Sequence, residues 1–298
     1  MSIHRVAYLG YVAIRKVIRT LGITGPLRKV LGPIAGRLIL RLAVKSDTSL
    51  MIHGHQMTLA TGAGYPPLGM VMGNYEEETT RLFQSLIKPE MVIIDIGAHV
   101  GYYSLLAARQ IGPSGKVYAF EPDPDNYALL VKNVEQNGYA NVVTTNKAVA
   151  DSVGHLTFFL TALDSGRNSI YSHGLPERGT IDVETTTIDS YFGEEGWPHI
   201  DLVKIDVEGA EINVLDGMVQ LVEKSDGLRI IIELNPSLLK SAGVDPVQLI
   251  ERPTSLGFNV SVINEKEGLL PLSVKDAPGL ISGLLAEDSS VNLLWTKQ

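Results

Sequence analysis

The stretch VIIDIGAHVGYYSLLAARQ, residues 92–110, constrains this chain more than any other. An apolar run ends on an acid, a glycine-bearing turn follows, and apolar residues then recur at helical spacing. A strand that enters a helix through such a turn belongs to an α/β sheet, because the helix folds back over the strand it follows. The turn is also a place for a ligand. The first N–H groups of the helix have no partner within it, and glycines let a ligand come close to the backbone.

The alternation continues. GKVYAFEP reads as a strand ending at Glu121, and PDNYALLVKNVEQNG as a helix closed by Gly138. NVVTTNKAVAD gives a third strand, DLVKIDVEG a buried fourth, EGAEINVLDGMVQLVEK a helix and GLRIIIELNP a fifth strand. GHLTFFLT and TIDVETTTID alternate as hairpin strands do. PVQLIERPTSLG is helical with a break at Pro253, and FNVSVIN and NLLWTKQ are late strands. Upstream, residues 50–61 read as a hairpin and residues 61–74 as a loop rich in Gly and Pro. YEEETTRLFQSLIKPEM reads as a helix stopped by Pro89. The fold class is α/β with a mostly parallel sheet.

What the turn holds follows from charge. Glu121 ends the next strand, 20 residues after Gly101, where an acid accepts hydrogen bonds from two ribose hydroxyls. A dinucleotide site wants G-x-G-x-x-G, whose glycines make room for a pyrophosphate. Here Asp95 stands in place of the first glycine, Gly97 follows, and Gly101 comes one position late. A carboxylate repels a pyrophosphate but attracts the ammonium or sulfonium of an amino-acid-bearing nucleoside. The pattern points to S-adenosylmethionine rather than NAD.

Composition narrows the classes. With 45% apolar residues the chain fills a core, and with no cysteine it has neither disulfides nor thiolate metal sites, which fits a reducing compartment. The net charge of −8 argues against general nucleic-acid binding. The charge is uneven. Residues 1–46 carry nine Lys/Arg and no acid, on a body with 16 bases and 33 acids. Within this arm, Ile3, Val6, Ala7, Ala13, Ile14, Val17, Ile18 and Leu21 fall on one helical face, opposite Arg5, Arg15, Lys16 and Arg19. Two readings stand: an arm packed on the body or on a second subunit of a homo-oligomer, or an arm lying on an anionic membrane surface. No apolar run there is long enough to span a bilayer. The expected location is the cytoplasm, with the arm as the means of attachment to the membrane's inner face under the second reading. The domains are then the arm, 1–46, and the body, 47–298.

Taken in order, VIIDIGAHVGYYSLLAA, VYAFEPDPDNYALLVKN, NKAVAD, TTTIDSY, VKIDVEGAEINVLDG and IIELNP resemble the FkbM family of S-adenosylmethionine-dependent O-methyltransferases over residues 75–264. The resemblance implies the class I methyltransferase (Rossmann-like) fold: a seven-stranded, mostly parallel sheet with helices on both faces and an antiparallel last strand. One departure is His99, where the family usually has Asn.

The resemblance implies roles. Asp95 anchors the methionyl end of the cofactor, with Gly97, Ala98, His99 and Gly101 forming the close-approach turn. Glu121 holds the ribose, and Pro122 and Asp123 shape the adenine side. Asn126 is either a ligand or a helix-start residue. Asn146, Lys147 and Ala148 end the third strand near the adenine ring, although Asn146 also suits a turn. Asp206 sits at the carboxyl edge of the sheet, as a functional acid or a helix N-cap.

Methyl transfer to an alcohol needs a base or a metal near the acceptor oxygen. One scheme takes the proton with Asp206 or with His173 of the GRNSIYSHG loop. A second places Mg²⁺ on Asp206, Glu233 and Asn235, at the ends of neighbouring strands. The expected acceptor is a hydroxyl of a sugar, a glycolipid or a natural-product alcohol. The rival readings are a nucleotide-dependent oxidoreductase and a membrane-attached domain that binds S-adenosylmethionine without turnover.

Overall fold

The computed structural model describes residues 49–59, 70, 75–162, 165–264 and 266–297. The basic arm expected at 1–46 lies outside them, as does the loop at 61–74 apart from Met70. A hairpin, β1 (Ser49–Ile52) and β2 (His55–Thr58), leads to helix α1 (Glu77–Leu86). Then come β3 (Val92–Ile96), α2 (Tyr102–Ile111), β4 (Lys116–Phe120), α3 (Pro124–Gln136) and β5 (Val142–Thr145). A short strand β6 (Ala148–Val149) precedes the long pair β7 (Gly154–Thr161) and β8 (Glu177–Thr186) and helix α4 (Ile188–Glu195). Next are β9 (Leu202–Ile205), α5 (Glu211–Asp216), α6 (Val219–Lys224), β10 (Arg229–Leu234) and α7 (Pro236–Ser241). The chain closes with α8 (Gln248–Ser255), β11 (Phe258–Asn264), β12 (Gly268–Pro271), α9 (Ala277–Glu287) and β13 (Val291–Lys297).

The main sheet has eight strands in the order β12-β11-β13-β10-β9-β3-β4-β5. β5, β4, β3, β9 and β10 pair in parallel, and β13 runs antiparallel between β10 and β11. This is the class I methyltransferase sheet with one strand more than the seven expected. The addition, β12, forms a hairpin with β11 through Ser261↔Pro271 to Asn264↔Gly268. It is four residues long and does not alternate, so the sequence offered no periodic signal.

Strand alternation sorts two cores onto the two faces. Ile94, Ile96, Phe120, Val203, Ile205, Ile230, Ile232 and Trp295 belong to one. Ile93, Val117, Ala119, Leu202, Ile231 and Leu294 belong to the other, with Leu105 and Leu106 of α2 and Phe83 of α1. On this second face, Asp95 pairs in register with Lys204, and Glu233 with Asn292. The face turns polar toward the carboxyl ends of the parallel strands, where ligands collect in open α/β sheets.

Four other expectations are corrected. The third strand divides: β5 joins the main sheet, while β6 pairs with β8 in a three-stranded sheet. The helix expected after the fourth strand is two helices. Gly217 separates them, and a Cβ there would lie 2.0 Å from the Ala150 carbonyl oxygen, so the chain must bend as it passes. Pro253 lies inside α8 instead of breaking it, buried beside Leu249 and Ile250. Helix α9 was not foreseen, since Gly279 and Gly283 weaken its helical signal. Among the described residues, no helix is long and apolar enough to cross a membrane.

Candidate active site

The turn after β3 is built by close approach. Gly97 takes φ +81°, and a Cβ on it would lie 1.9 Å from the Asp206 carbonyl oxygen. Only glycine lets β3 and β9 end this near each other. The N–H groups of Gly97 and Ala98 both donate to the Phe120 carbonyl, at 3.0 and 2.9 Å. His99 also has positive φ, 51°. Its N–H donates to Glu121 Oε2 at 2.8 Å, and its Nε2 is 2.9 Å from Ser165 Oγ. Gly101 is the N-cap of α2, with φ +93° and Leu130 where a Cβ would stand.

Two acids flank this turn. Asp95 is buried, and its Oδ2 accepts from Ser104 Oγ at 2.5 Å. Burial pushes its carboxyl up to about 6, against the pull of Ser104 and Lys204. Glu121 is buried at the end of β4, and its Oε1 accepts the Asp123 N–H at 2.9 Å. Burial pushes it up to about 8, although the N–H groups of Asp123 and His99 favour its charge.

A cleft of about 530 Å³, continuous with solvent, opens over Glu121. Of the residues expected to bind cofactor, it is lined by Gly97, His99, Glu121, Pro122, Lys147 and Ala148. Phe120, Phe158, Ile170, Val207 and Ala210 add apolar walls. A second cleft, of about 620 Å³, adjoins it and is lined by Asp95, Ala98, Tyr75, Tyr102, Tyr103, Arg167, Lys204 and Glu208. Gly97, His99, Gly166 and Asp206 border both.

The other expected residues support the clefts from behind. Asp123 caps α3 by accepting the Asp125 N–H at 2.8 Å. Its Oδ2 is held by Asn168 Nδ2 at 2.7 Å and Arg178 at 3.1 Å, so the carboxylate is engaged within the protein. Asn126 is buried in the first turn of α3 and donates to the Ser165 carbonyl at 3.3 Å. Asn146 is a turn residue, donating to the Glu121 and Pro122 carbonyls at 2.8 and 3.1 Å. Lys147 pairs with Glu184 at 3.1 Å. The β7–β8 arm thus folds a turn, Ser165–Arg167, over the cofactor cleft.

Asp206 is not a helix cap; the N-cap of α5 is Ala210. Its Oδ2 accepts from Lys204 Nζ at 3.0 Å. Lys204 is fully buried, with its ammonium 5.2 Å from the centre of the Tyr103 ring. Burial works against that charge, but Asp206, Glu76 and Glu233 outweigh it and hold the amine above its usual range.

The metal set expected from the sequence is not assembled. Asn235 Oδ1 accepts the Leu238 N–H at 3.3 Å and caps α7. Glu208 takes its place beside Asp206 and Glu233, with oxygens of the three within 4.8 Å of one another. Burial, then Glu233 and Asp206, drive Glu208 far up toward its neutral form. Among the described residues, the ammonium of Lys204 acts as countercharge to Asp206 and Glu233, and the guanidinium of Arg167 to Glu208.

His173 lines neither cleft. Its Nε2 donates to the Glu208 carbonyl at 2.8 Å, and its Nδ1 meets Ser241 Oγ. Both ring nitrogens are engaged, one fastening the loop to the β9–α5 turn and the other to α7, so the geometry does not present it as a base. Lys204, Glu208, Arg167 and Ser165 are what the sequence reading missed. For Lys204 the signal was there: a lysine in a buried strand, two residues before an acid and so on the same face.

The chain matches the methyltransferase FkbM domain family over residues 95–259, more than half its length. It is 24% identical over 194 residues to the hexuronic acid methyltransferase AglP of Haloferax volcanii, covering 64% of this chain and 74% of that one. It is 30% identical over 154 residues to the 2-O-methyltransferase NoeI of Sinorhizobium fredii, covering 47% and 62%. It is 30% identical over 172 residues to the 31-O-demethyl-FK506 methyltransferase FkbM of Streptomyces tacrolimicus, covering 48% and 64%. The match therefore spans less than two thirds of the last two.

Proposed function

The chain belongs to the FkbM methyltransferase domain family, and on that premise we propose that it moves the methyl group of S-adenosylmethionine to a hydroxyl of a sugar, glycolipid or natural-product alcohol. One observation carries the reading: the cleft over Glu121 opens, past Gly97 and Asp206, into a second cleft lined by tyrosines and acids. Adenosine suits the first, with apolar walls for its ring and a carboxylate for its ribose. A hydroxylated acceptor suits the second. AglP is named for a hexuronic acid and NoeI for transfer to a 2-O position, and together they support a sugar-type hydroxyl.

The bound cofactor supplies a methyl group on a positively charged sulfur, and the chain's residues do the rest. Glu121 accepts the ribose hydroxyls. Asp95 holds the methionyl ammonium, directly or through water. Asp206, at the junction of the clefts, takes the acceptor's proton, and Lys204 holds the carboxylate in position. His99 fastens the Ser165–Arg167 turn over the cofactor, which excludes water from the junction. Incubation with radiolabelled S-adenosylmethionine and a panel of sugar alcohols tests this. Labelled product that disappears with Asp206→Asn supports it. Tight cofactor binding with no transfer to any alcohol overturns it.

The basic arm, 1–46, is proposed as an appendage of the catalytic body that lies on an anionic membrane surface. Flotation with phosphatidylserine vesicles should fall when the arm is removed; equal flotation overturns that role.

A further inference from the structure

The cleft-lining cations differ in their commitments. Lys147 is paired with Glu184 at 3.1 Å, and Lys204 with Asp206 at 3.0 Å. Arg167 also lines the second cleft, where it acts on Glu208 through charge alone and makes no direct ion pair or hydrogen bond among the described residues. It is exposed at the mouth, while its neighbours Ser165 and Asn168 are buried.

Those neighbours fix where Arg167 stands. Ser165 meets His99 Nε2 at 2.9 Å and accepts Asn126 Nδ2 on its carbonyl at 3.3 Å. Asn168 donates to Asp123 at 2.7 Å and accepts the Thr161 N–H at 2.8 Å. The turn is pinned on both sides of Arg167, and the side chain between the pins faces the acceptor cleft. A planar fork of donors held there fits a carboxylate or a phosphate.

We propose that Arg167 selects an acceptor bearing an anionic group, a carboxylated or phosphorylated sugar whose hydroxyl is methylated at Asp206. This rests on the methyl-transfer reading above and names its substrate class. The cofactor's own methionyl carboxylate is the competing anion. Asp95 and Ala98, which would meet that end of the cofactor, line the same cleft but are buried, whereas Arg167 is exposed.

The test is calorimetric titration of the full chain loaded with S-adenosylhomocysteine. The probes are methyl β-D-glucuronide, methyl β-D-glucoside 6-phosphate and neutral methyl β-D-glucoside. At least one anionic glycoside should bind about tenfold more tightly than the neutral one, as expected for a charge-assisted pair. Which of the two does so tells carboxylate from phosphate. Arg167→Ala should erase the preference and Arg167→Lys restore part of it, while S-adenosylhomocysteine affinity stays within about twofold. Equal binding of all three glycosides, no glycoside binding, or a preference that survives Arg167→Ala overturns the proposal. So does a large loss of cofactor affinity in Arg167→Ala, which would give Arg167 to the methionyl carboxylate. Failure to bind S-adenosylhomocysteine at all would instead overturn the methyl-transfer reading itself, and this proposal with it.

Discussion

Lys204 Nζ lies 3.0 Å from Asp206 Oδ2, and no part of the lysine reaches solvent. A buried ammonium is tolerable only with its partner in place. Asp206→Asn, which leaves that ammonium unpaired, should therefore destabilise the fold by about 3–5 kcal/mol, and Lys204→Met, which removes it and leaves the partly exposed Asp206, by less. The double variant Lys204→Met/Asp206→Asn should recover part of that loss. Urea denaturation of the three variants measures both. Asp206→Asn alone should lower methyl transfer by about 10²–10⁴-fold while leaving S-adenosylhomocysteine affinity within a few-fold.

Gly97 and Gly138 make a matched pair for the turn. Both have positive φ, +81° and +70°. A Cβ at Gly97 would strike the Asp206 carbonyl, whereas nothing lies within 4 Å of one at Gly138. Gly138→Ala should cost only the backbone penalty, about 1–2 kcal/mol. Gly97→Ala should cost more and abolish cofactor binding, because the ends of β3 and β9 must part. Denaturation and calorimetry on the two variants check it.

The Glu121 carboxyl, raised by burial to about 8, is mostly protonated in the free protein at pH 7. The ionised form accepts ribose hydroxyls, so cofactor binding at pH 7 should be accompanied by net proton release from Glu121. Affinity should rise with pH and level off above about 8. Calorimetry in buffers of different ionisation enthalpy reads the proton directly. Glu121→Gln should remove the release.

Stability of the free protein should run the other way. Burial raises Asp95 to about 6, Glu211 to about 7 and Glu121 to about 8, all above their unfolded values. The folded state then binds more protons than the unfolded state between about pH 4 and pH 8, so stability falls as pH rises through that window. His55, lowered to about 4 by burial and then Arg109, acts oppositely, but only below its unfolded value of 6.5. The melting temperature should drop by several degrees between pH 6.5 and pH 8.5.

The residues whose chemistry is unusual for their position were legible in the sequence. Asp95 where a glycine belongs, Gly97 and Gly101 in a turn, and Glu121 at a strand end each carry a local signal. So do the strands whose period is clear, including the pair at 258–264 and 291–297. What stayed hidden depends on distant chain segments. Ser165 meets His99 across 66 residues, and Arg178 meets Asp123 across 55. Nothing in either neighbourhood announces the other. His173 illustrates the reverse error: a histidine in a covering loop suggests a base, but Ser241, 68 residues away, already occupies its Nδ1.

The central claim is that Asp95 and Glu121 shape a site for an adenosyl cation and not for a diphosphate. Calorimetric titration of the full chain with S-adenosylhomocysteine and with NAD, repeated on Glu121→Ala, tests it most directly. Saturable binding of S-adenosylhomocysteine that Glu121→Ala abolishes, with no heat from NAD, is the expected result. Saturable NAD binding, or S-adenosylhomocysteine affinity that is indifferent to Glu121, would contradict it.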